Sequence, residues 1–208
     1  MAIANRTISQ FKSALKGGGQ RPNLFEVELS KPSGVKFGTQ PGTTRTNQLE
    51  SNDFRFLCKA ASLPASNVAS IDVPFRGRIL KVAGDRTFES WSITVINDDF
   101  GIRDNFEAWM QSIAQYGDAS GLTDPDQYMA DAKVYQLGRT RSKEESSGAD
   151  SSTAKSSVTA AYQFIDIFPT NISAIDLSYE NTDTIEEFTV DFSVQYWFPS
   201  NDRYGRQS

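Results

Sequence analysis

Two carboxylate pairs, one cysteine, a glycine triplet and a short run of bases are the residues of this chain whose types could support chemistry. Asp98 and Asp99 could hold a cation, but they directly precede an apolar stripe at helical spacing, where acids serve as N-cap and first-turn residues. Glu186 and Glu187 are adjacent, so on a strand they point to opposite faces and cannot work as a paired acid and base. Gly17, Gly18 and Gly19 are not followed by the Gly-Lys-Ser/Thr of a phosphate-binding loop, and the triplet reads as a hinge. Arg76, Arg78 and Lys81 could meet nucleic acid or stand as solvated charges on strand edges. Asn5-Arg6-Thr7 and Asn171-Ile172-Ser173 match the N-glycosylation triplet, a weak pattern without a secretory leader. Cys58, spaced with Phe54 and Phe56, reads as a core residue. Histidine is absent and Cys58 stands alone, which removes Ser-His-Asp and Cys-His catalysis, His-based zinc sites, cysteine clusters and an intrachain disulfide together. No enzyme is left with a full set of parts. No catalytic residue, cofactor or metal is expected, and the role that remains is architectural.

The elements carry a clearer pattern. In "IEEFTVDFSVQYWF", residues 185–198, Phe188, Val190, Phe192, Val194, Tyr196 and Phe198 alternate with Glu187, Thr189, Asp191, Ser193 and Gln195. That period of two predicts a single β-strand, roughly 45 Å long at ~3.4 Å per residue. A second copy of the pattern sets Trp91, Ile93 and Val95 against Ser90, Ser92 and Thr94. It lies in "VPFRGRILKVAGDRTFESWSITVIN", read as a hairpin whose two long arms turn at Ala83, Gly84 and Asp85. "NLFEVELS", "FRFLCKAASLP", "KVYQLGR" and "AAYQFIDIFP" read as further strands, and "ISAIDLSYE" as the partner of 185–198 in a second hairpin. The one firm helix repeats Ile102, Phe106, Trp109 and Ile113 at steps of 4, 3 and 4 before Gly117. Its stripe is expected to cover Phe188, Val190, Phe192 and Val194 on the sheet.

With 208 residues, 38% of them hydrophobic and 12% aromatic, the chain can fill one good-sized core. We expect a single domain, 1–208, of mainly β structure: a sandwich or partial barrel with one flanking helix. An N-terminal arm, 1–22, carries Ile8, Phe11 and Leu15 at helical spacing. An extended loop spans 31–52, and a low-complexity loop expected to lack fixed structure spans 139–158. No run approaches the ~18 apolar residues of a membrane span, so a soluble protein is expected. The net charge of -5 divides unevenly: residues 1–81 carry 12 bases against 5 acids, and residues 82–208 carry 9 against 21. Such asymmetry suits self-association of unlike surfaces, and it is also what chance fluctuation along a sequence produces.

"RPNLFEVEL" after a glycine-rich arm, "AASLPASNV", "VPFRGRILKVAGDRTFESWSITVINDDFGIRDNFEAWM" and "YQFIDIFPTNISAIDLSYENTDTIEEFTVDFSV" together resemble the tail tube protein of contractile-tailed bacteriophages. The likeness covers most of the chain, with the loops at 31–52 and 139–158 departing from the pattern as expansions. It implies six-membered rings in which each subunit lends four strands to one closed β-barrel, stacked head to tail inside a contractile sheath. About 24 strands spaced ~4.8 Å apart at a tilt of ~40° close at a diameter of roughly 48 Å, and side chains leave roughly 38 Å. A DNA duplex about 20 Å across would pass. The face of Glu187, Thr189, Asp191, Ser193 and Gln195, with Ser90, Ser92 and Thr94, is then expected to line the bore. An acidic lining without Lys or Arg would repel phosphates and let DNA slide during ejection. Closing the barrel would also cover strand edges. Ala83, Gly84 and Asp85, with Ile8, Phe11 and Leu15, are the candidates for ring stacking.

The partners implied are other copies of the chain, a sheath protein, a baseplate tube initiator, and tape-measure and terminator proteins. The place implied is the tail of a virion assembled in the host cytoplasm. Two other readings stand beside this one. The chain could instead be a baseplate initiator or the tube of a related injection or secretion machine. A monomeric lipocalin-like ligand barrel would need an apolar interior and would turn the hydroxylated face outward.

Overall fold

A computed structural model describes residues 7–15, 19–37, 49, 52–99, 101–118, 120–141, 156–180 and 182–200. Helix α1 (Ile8–Ala14) is followed by strand β1 (Phe25–Leu29), helix α2 (Asn52–Leu57) and strands β2 (Cys58–Ala61), β3 (Ser66–Phe75), β4 (Arg78–Phe88) and β5 (Trp91–Ile96). Helices α3 (Ile102–Ile113) and α4 (Pro125–Tyr128) lead to β6 (Ala130–Arg141), β7 (Ser156–Ile172), β8 (Glu187–Ser193) and β9 (Tyr196–Ser200). Hydrogen bonding orders one sheet β1-β6-β7-β8-β5-β2, with β9 also paired to β7, and a separate ribbon of β3 and β4. The mainly β architecture agrees with the reading of the sequence.

The chain divides into two compact units. One comprises residues 1–26, 134–162 and 199–208. In it α1 begins with a capping box, Thr7 accepting from the Gln10 amide while the Gln10 side chain accepts from the Thr7 amide. Ile8 and Phe11 lie on α1 and Leu15 is its C-cap, and all three are exposed. Leu137 donates to the Leu24 carbonyl at 2.9 Å, and Gln20 reaches the Thr159 hydroxyl at 2.7 Å.

The other unit, residues 27–133 and 163–198, holds the main core. Strands β5 and β8 pair antiparallel in register, Trp91 opposite Phe192, Ile93 opposite Val190 and Val95 opposite Phe188. Those six side chains are buried, together with Ile102, Phe106 and Trp109 of α3, because an alternating strand pair presents one continuous apolar face to an amphipathic helix. Ile113, also expected in this contact, is half-buried at the last turn. Aromatic rings run through this core without a break. Phe88 meets Trp197 at 6.3 Å, Trp197 meets Phe164 at 6.4 Å, and Phe164 stacks on Trp91 at 4.6 Å. Trp91 then meets Phe192 at 5.3 Å, and Phe192 meets both Phe106 and Trp109. Asp98 accepts from the amides of Gly101 and Ile102 at 3.1 and 3.0 Å and so satisfies the start of α3 from outside it; the expected N-cap and first-turn places of Asp98 and Asp99 are taken instead by Gly101 and Asp104. Trp109 Nε1 donates to the Tyr128 carbonyl at 2.7 Å, and Arg103 donates to the Ser173 carbonyl at 3.1 Å.

Four expectations are corrected. The run 185–198 is not one strand: β8 ends at Ser193, and β9 begins only at Tyr196 after a bend. The bend inverts parity, as an added residue does in a pleat, so Trp197 turns inward while Tyr196 and Phe198 are exposed. The β3–β4 turn is not at Ala83-Gly84-Asp85 but at Arg76 and Gly77, whose φ of 44° and 81° suit the tight turn that matches strand twist. Gly84 and Asp85 instead form a bulge in β4 opposite Ala69, where the register shifts. "FRFLCKAASLP" is helical up to Leu57 and extended only from Cys58; Phe54 and Cys58 are buried, whereas Phe56 is 81% exposed. Residues 173–180 and 182–186 form no strand; β8 pairs with the end of β7 itself.

Of the loop at 31–52, residues 31–37 pack on α4: the Gly34 amide donates to the Gln127 carbonyl at 2.8 Å, and the Ser33 hydroxyl to that of Asp126. Residues 142–155, the body of the low-complexity loop, and Asn5-Arg6-Thr7 apart from Thr7 lie outside the described residues, as do Gly17 and Gly18.

Candidate functional site

The polar side of β5 and β8 follows directly from their register. Ser92 stands opposite Asp191 and Thr94 opposite Thr189, with Glu187 opposite Ile96. Since their neighbours on both strands are held inward by the core, these side chains must emerge on the other face. All are half-buried. Ser92 Oγ donates to the Asp191 carboxylate, and the Thr94 and Thr189 hydroxyls lie 3.5 Å apart. Ser193, the last residue of β8, pairs with Phe168. Two expected members do not join them: Ser90 precedes β5, and Gln195 sits at the bend, both exposed.

Three residues of this face had not been singled out for it. Asn171 Nδ2 donates to Asp191 Oδ2 at 3.0 Å, and Ser173 Oγ accepts from the Thr189 amide at 2.9 Å. The triplet that resembles a glycosylation signal therefore spends both polar side chains on β8. Lys59 of β2 is the third, donating to Glu187 Oε1 at 2.5 Å. Its place corrects the expectation of a face without bases: β5 and β8 supply none, and β2 brings one beside the terminal acid. The alternation Cys58-in, Lys59-out was readable, but only once the helix-to-strand change at Cys58 is known.

The chemistry of the face is that of a wetted surface. The Ser92 hydroxyl, and then the Asn171 amide, hold the Asp191 carboxyl below the usual carboxylate range by favouring its ionised form. The acid is thus kept charged but already engaged. Glu186 accepts from Asn97 Nδ2 at 2.9 Å, apart from the Lys59–Glu187 pair, so the two adjacent glutamates serve different neighbours. Among the described residues no group of His, Cys, Asp and Glu could hold a metal ion. Cys58 is buried, and that burial pushes its thiol up to about 12, far from a reactive thiolate. Among the described residues no helix is long and apolar enough to cross a membrane.

Comparison with known proteins adds a family. The chain is 32% identical over 182 residues to tail tube protein gp19 of Enterobacteria phage T4, covering 87% of this chain and 92% of that protein. It is 28% identical over 200 residues to a tail tube protein of Serratia phage KSP90, covering 95% and 98%. In fold it is similar to a chain of the sheath-tube complex of an extracellular contractile injection system in its extended state. There the TM-score is 0.52 at 12% identity, over 94% of this chain and 99% of that one. A chain of the anti-feeding prophage baseplate gives 0.50 at 9% identity, over 86% and 93%. The family model for phage tail tube proteins matches residues 20–200, and with these relatives it establishes that the chain belongs to the phage tail tube protein family.

Proposed function

We propose that six copies of this tail tube subunit close into a ring, that rings stack head to tail, and that the polar face of β5 and β8 lines a bore through which double-stranded DNA passes. The observation that carries this reading is the two-sidedness of the β5–β8 pair. One side is filled with aromatic and branched side chains under α3, while the other offers hydroxyls and engaged carboxylates. A water-filled channel that must not hold phosphates asks for that chemistry. The uncovered ribbon supports assembly: every residue of β3 is exposed, with Ile71, Val73 and Phe75 beside Leu80 and Val82 on one side.

The role is structural, without catalysis. The partners that fit are the sheath around the tube, the baseplate initiator, tape-measure and terminator proteins, and the setting is a contractile virion tail assembled in the host cytoplasm. The solved chains of similar fold come from a sheath-tube complex and a baseplate, which supports those partners. A monomeric ligand barrel is disfavoured because the described sheet runs from β1 to β2 without closing on itself. The test images the purified full chain by negative stain and sedimentation. Rings or rods are expected, and a species that stays at 23.0 kDa at high concentration would refute assembly. In phage, Thr189→Lys with Ser193→Lys should leave tubes intact and slow DNA ejection; unchanged ejection rules out the lining.

A further inference from the structure

The β3–β4 ribbon and the segment between β7 and β8 are opposite in shape and charge. At the ribbon's end, Arg76 and Gly77 make the turn and Phe75 is 67% exposed, with the Arg76 guanidinium over its ring at 5.4 Å. Lys81 is paired with Asp72 at 2.8 Å, whereas among the described residues Arg76 and Arg78 have no carboxylate partner. The tip is therefore convex, aromatic and basic. Residues 174–179 and 184–187 line a cleft of about 600 Å³, with Leu177, Tyr179 and Ile185 all strongly exposed at its walls. Asp176, Glu180, Asp183 and Glu186 belong to the stretch 174–187, which contains no base.

We propose that the ribbon tip of one copy inserts into the 174–187 cleft of a neighbouring copy, Phe75 against Leu177 and Tyr179, with Arg76 and Arg78 among the acids. This deepens the tube reading and rests on it. Among the described residues neither surface is covered, and each supplies what the other lacks: apolar area for apolar area, and two bases without a carboxylate partner for a base-free acidic rim. Because the two patches differ, the contact is heterologous. It passes from copy to copy and does not close on a pair.

The test is oxidative cross-linking of the full chain. Buried Cys58 is the sole native cysteine, so an introduced pair can be followed alone. Phe75→Cys with Tyr179→Cys in one chain should give a ladder beyond the dimer on a non-reducing gel. Each single variant should stay a monomer, and mixing the two singles should give only dimers. Arg76→Glu with Arg78→Glu in that background should slow the ladder roughly tenfold or more, and adding Asp176→Arg with Glu180→Arg should restore it. Dimers from Phe75→Cys alone, or full-rate ladders after charge reversal, would overturn the contact. Wild-type rods without a ladder from the double variant would overturn it too, leaving the tube reading intact and the cleft to a different partner such as the sheath. A wild-type chain that never assembles would instead strike at the tube reading itself.

Discussion

Asp191 and Phe192 are consecutive, yet the structure assigns them to opposite environments, and truncating each to alanine measures that assignment. Phe192 is fully buried and its ring meets those of Trp91, Phe106 and Trp109 at 5.3, 6.2 and 6.1 Å. Large partners on three sides resist collapse into the space left, so Phe192→Ala should cost about 4 kcal/mol. Against a total stability of ~5–15 kcal/mol, that is a large share. With a urea m-value near ~2 kcal/mol/M, the unfolding midpoint should fall by about 2 M. Asp191→Ala loses the hydrogen bonds to Ser92 and Asn171 at a half-exposed site. Its cost should be about 1 kcal/mol, a shift of about 0.5 M. The assay is urea unfolding of the two variants and wild type under identical buffer. If Asp191→Ala falls further than Phe192→Ala, the faces are exchanged, and with them the proposed lining.

Three more perturbations are expected to read out single features. Cys58, with its thiol pushed up to about 12 by burial, should resist a thiol-reactive dye in the native chain at pH 8 and label fully once urea unfolds it; rapid native labelling would contradict the burial. Asp191 titrates lower folded than unfolded, so its stabilising effect is complete above the ordinary carboxylate value near ~4 and disappears as pH falls through the folded value. Asp191→Asn should remove that part of the acid dependence of unfolding, and an unaltered profile would refute it. Gly121→Ala would drive a Cβ into the Ile113 carbonyl at the end of α3, and should lower stability by ~1–3 kcal/mol in thermal unfolding; no loss would show that this turn can shift freely.

Much of the fold was legible because it rests on periodicity. The α3 stripe and the Phe188–Phe192 and Trp91–Val95 alternations each bury a whole face, and a face is what a pattern of types records. What escaped were decisions made by single residues. At Arg76-Gly77 and at Ala83-Gly84-Asp85 the sequence offers two glycine-containing turns of similar quality; pairing over the full length of β3 selects the first and leaves a bulge at the second. The bend after Val194 has no breaker residue to announce it. Phe54 and Phe56 look alike in a strand, and only the helix that carries them sends one inward and one out. On the candidate face, the residues of β5 and β8 were readable from alternation, whereas Lys59 of β2, Asn171 of β7 and Ser173 just past the end of β7 need the sheet order to be seen.

The aromatic series from Phe88 through Trp197, Phe164 and Trp91 to Phe192 has a mechanical meaning. Flat, unbending plates at close spacing carry load as a strut does, and close-packed interiors yield little. A push delivered where the ribbon is rooted, beside Phe88, would thus meet an unbroken series of rings leading to Phe192 beneath α3.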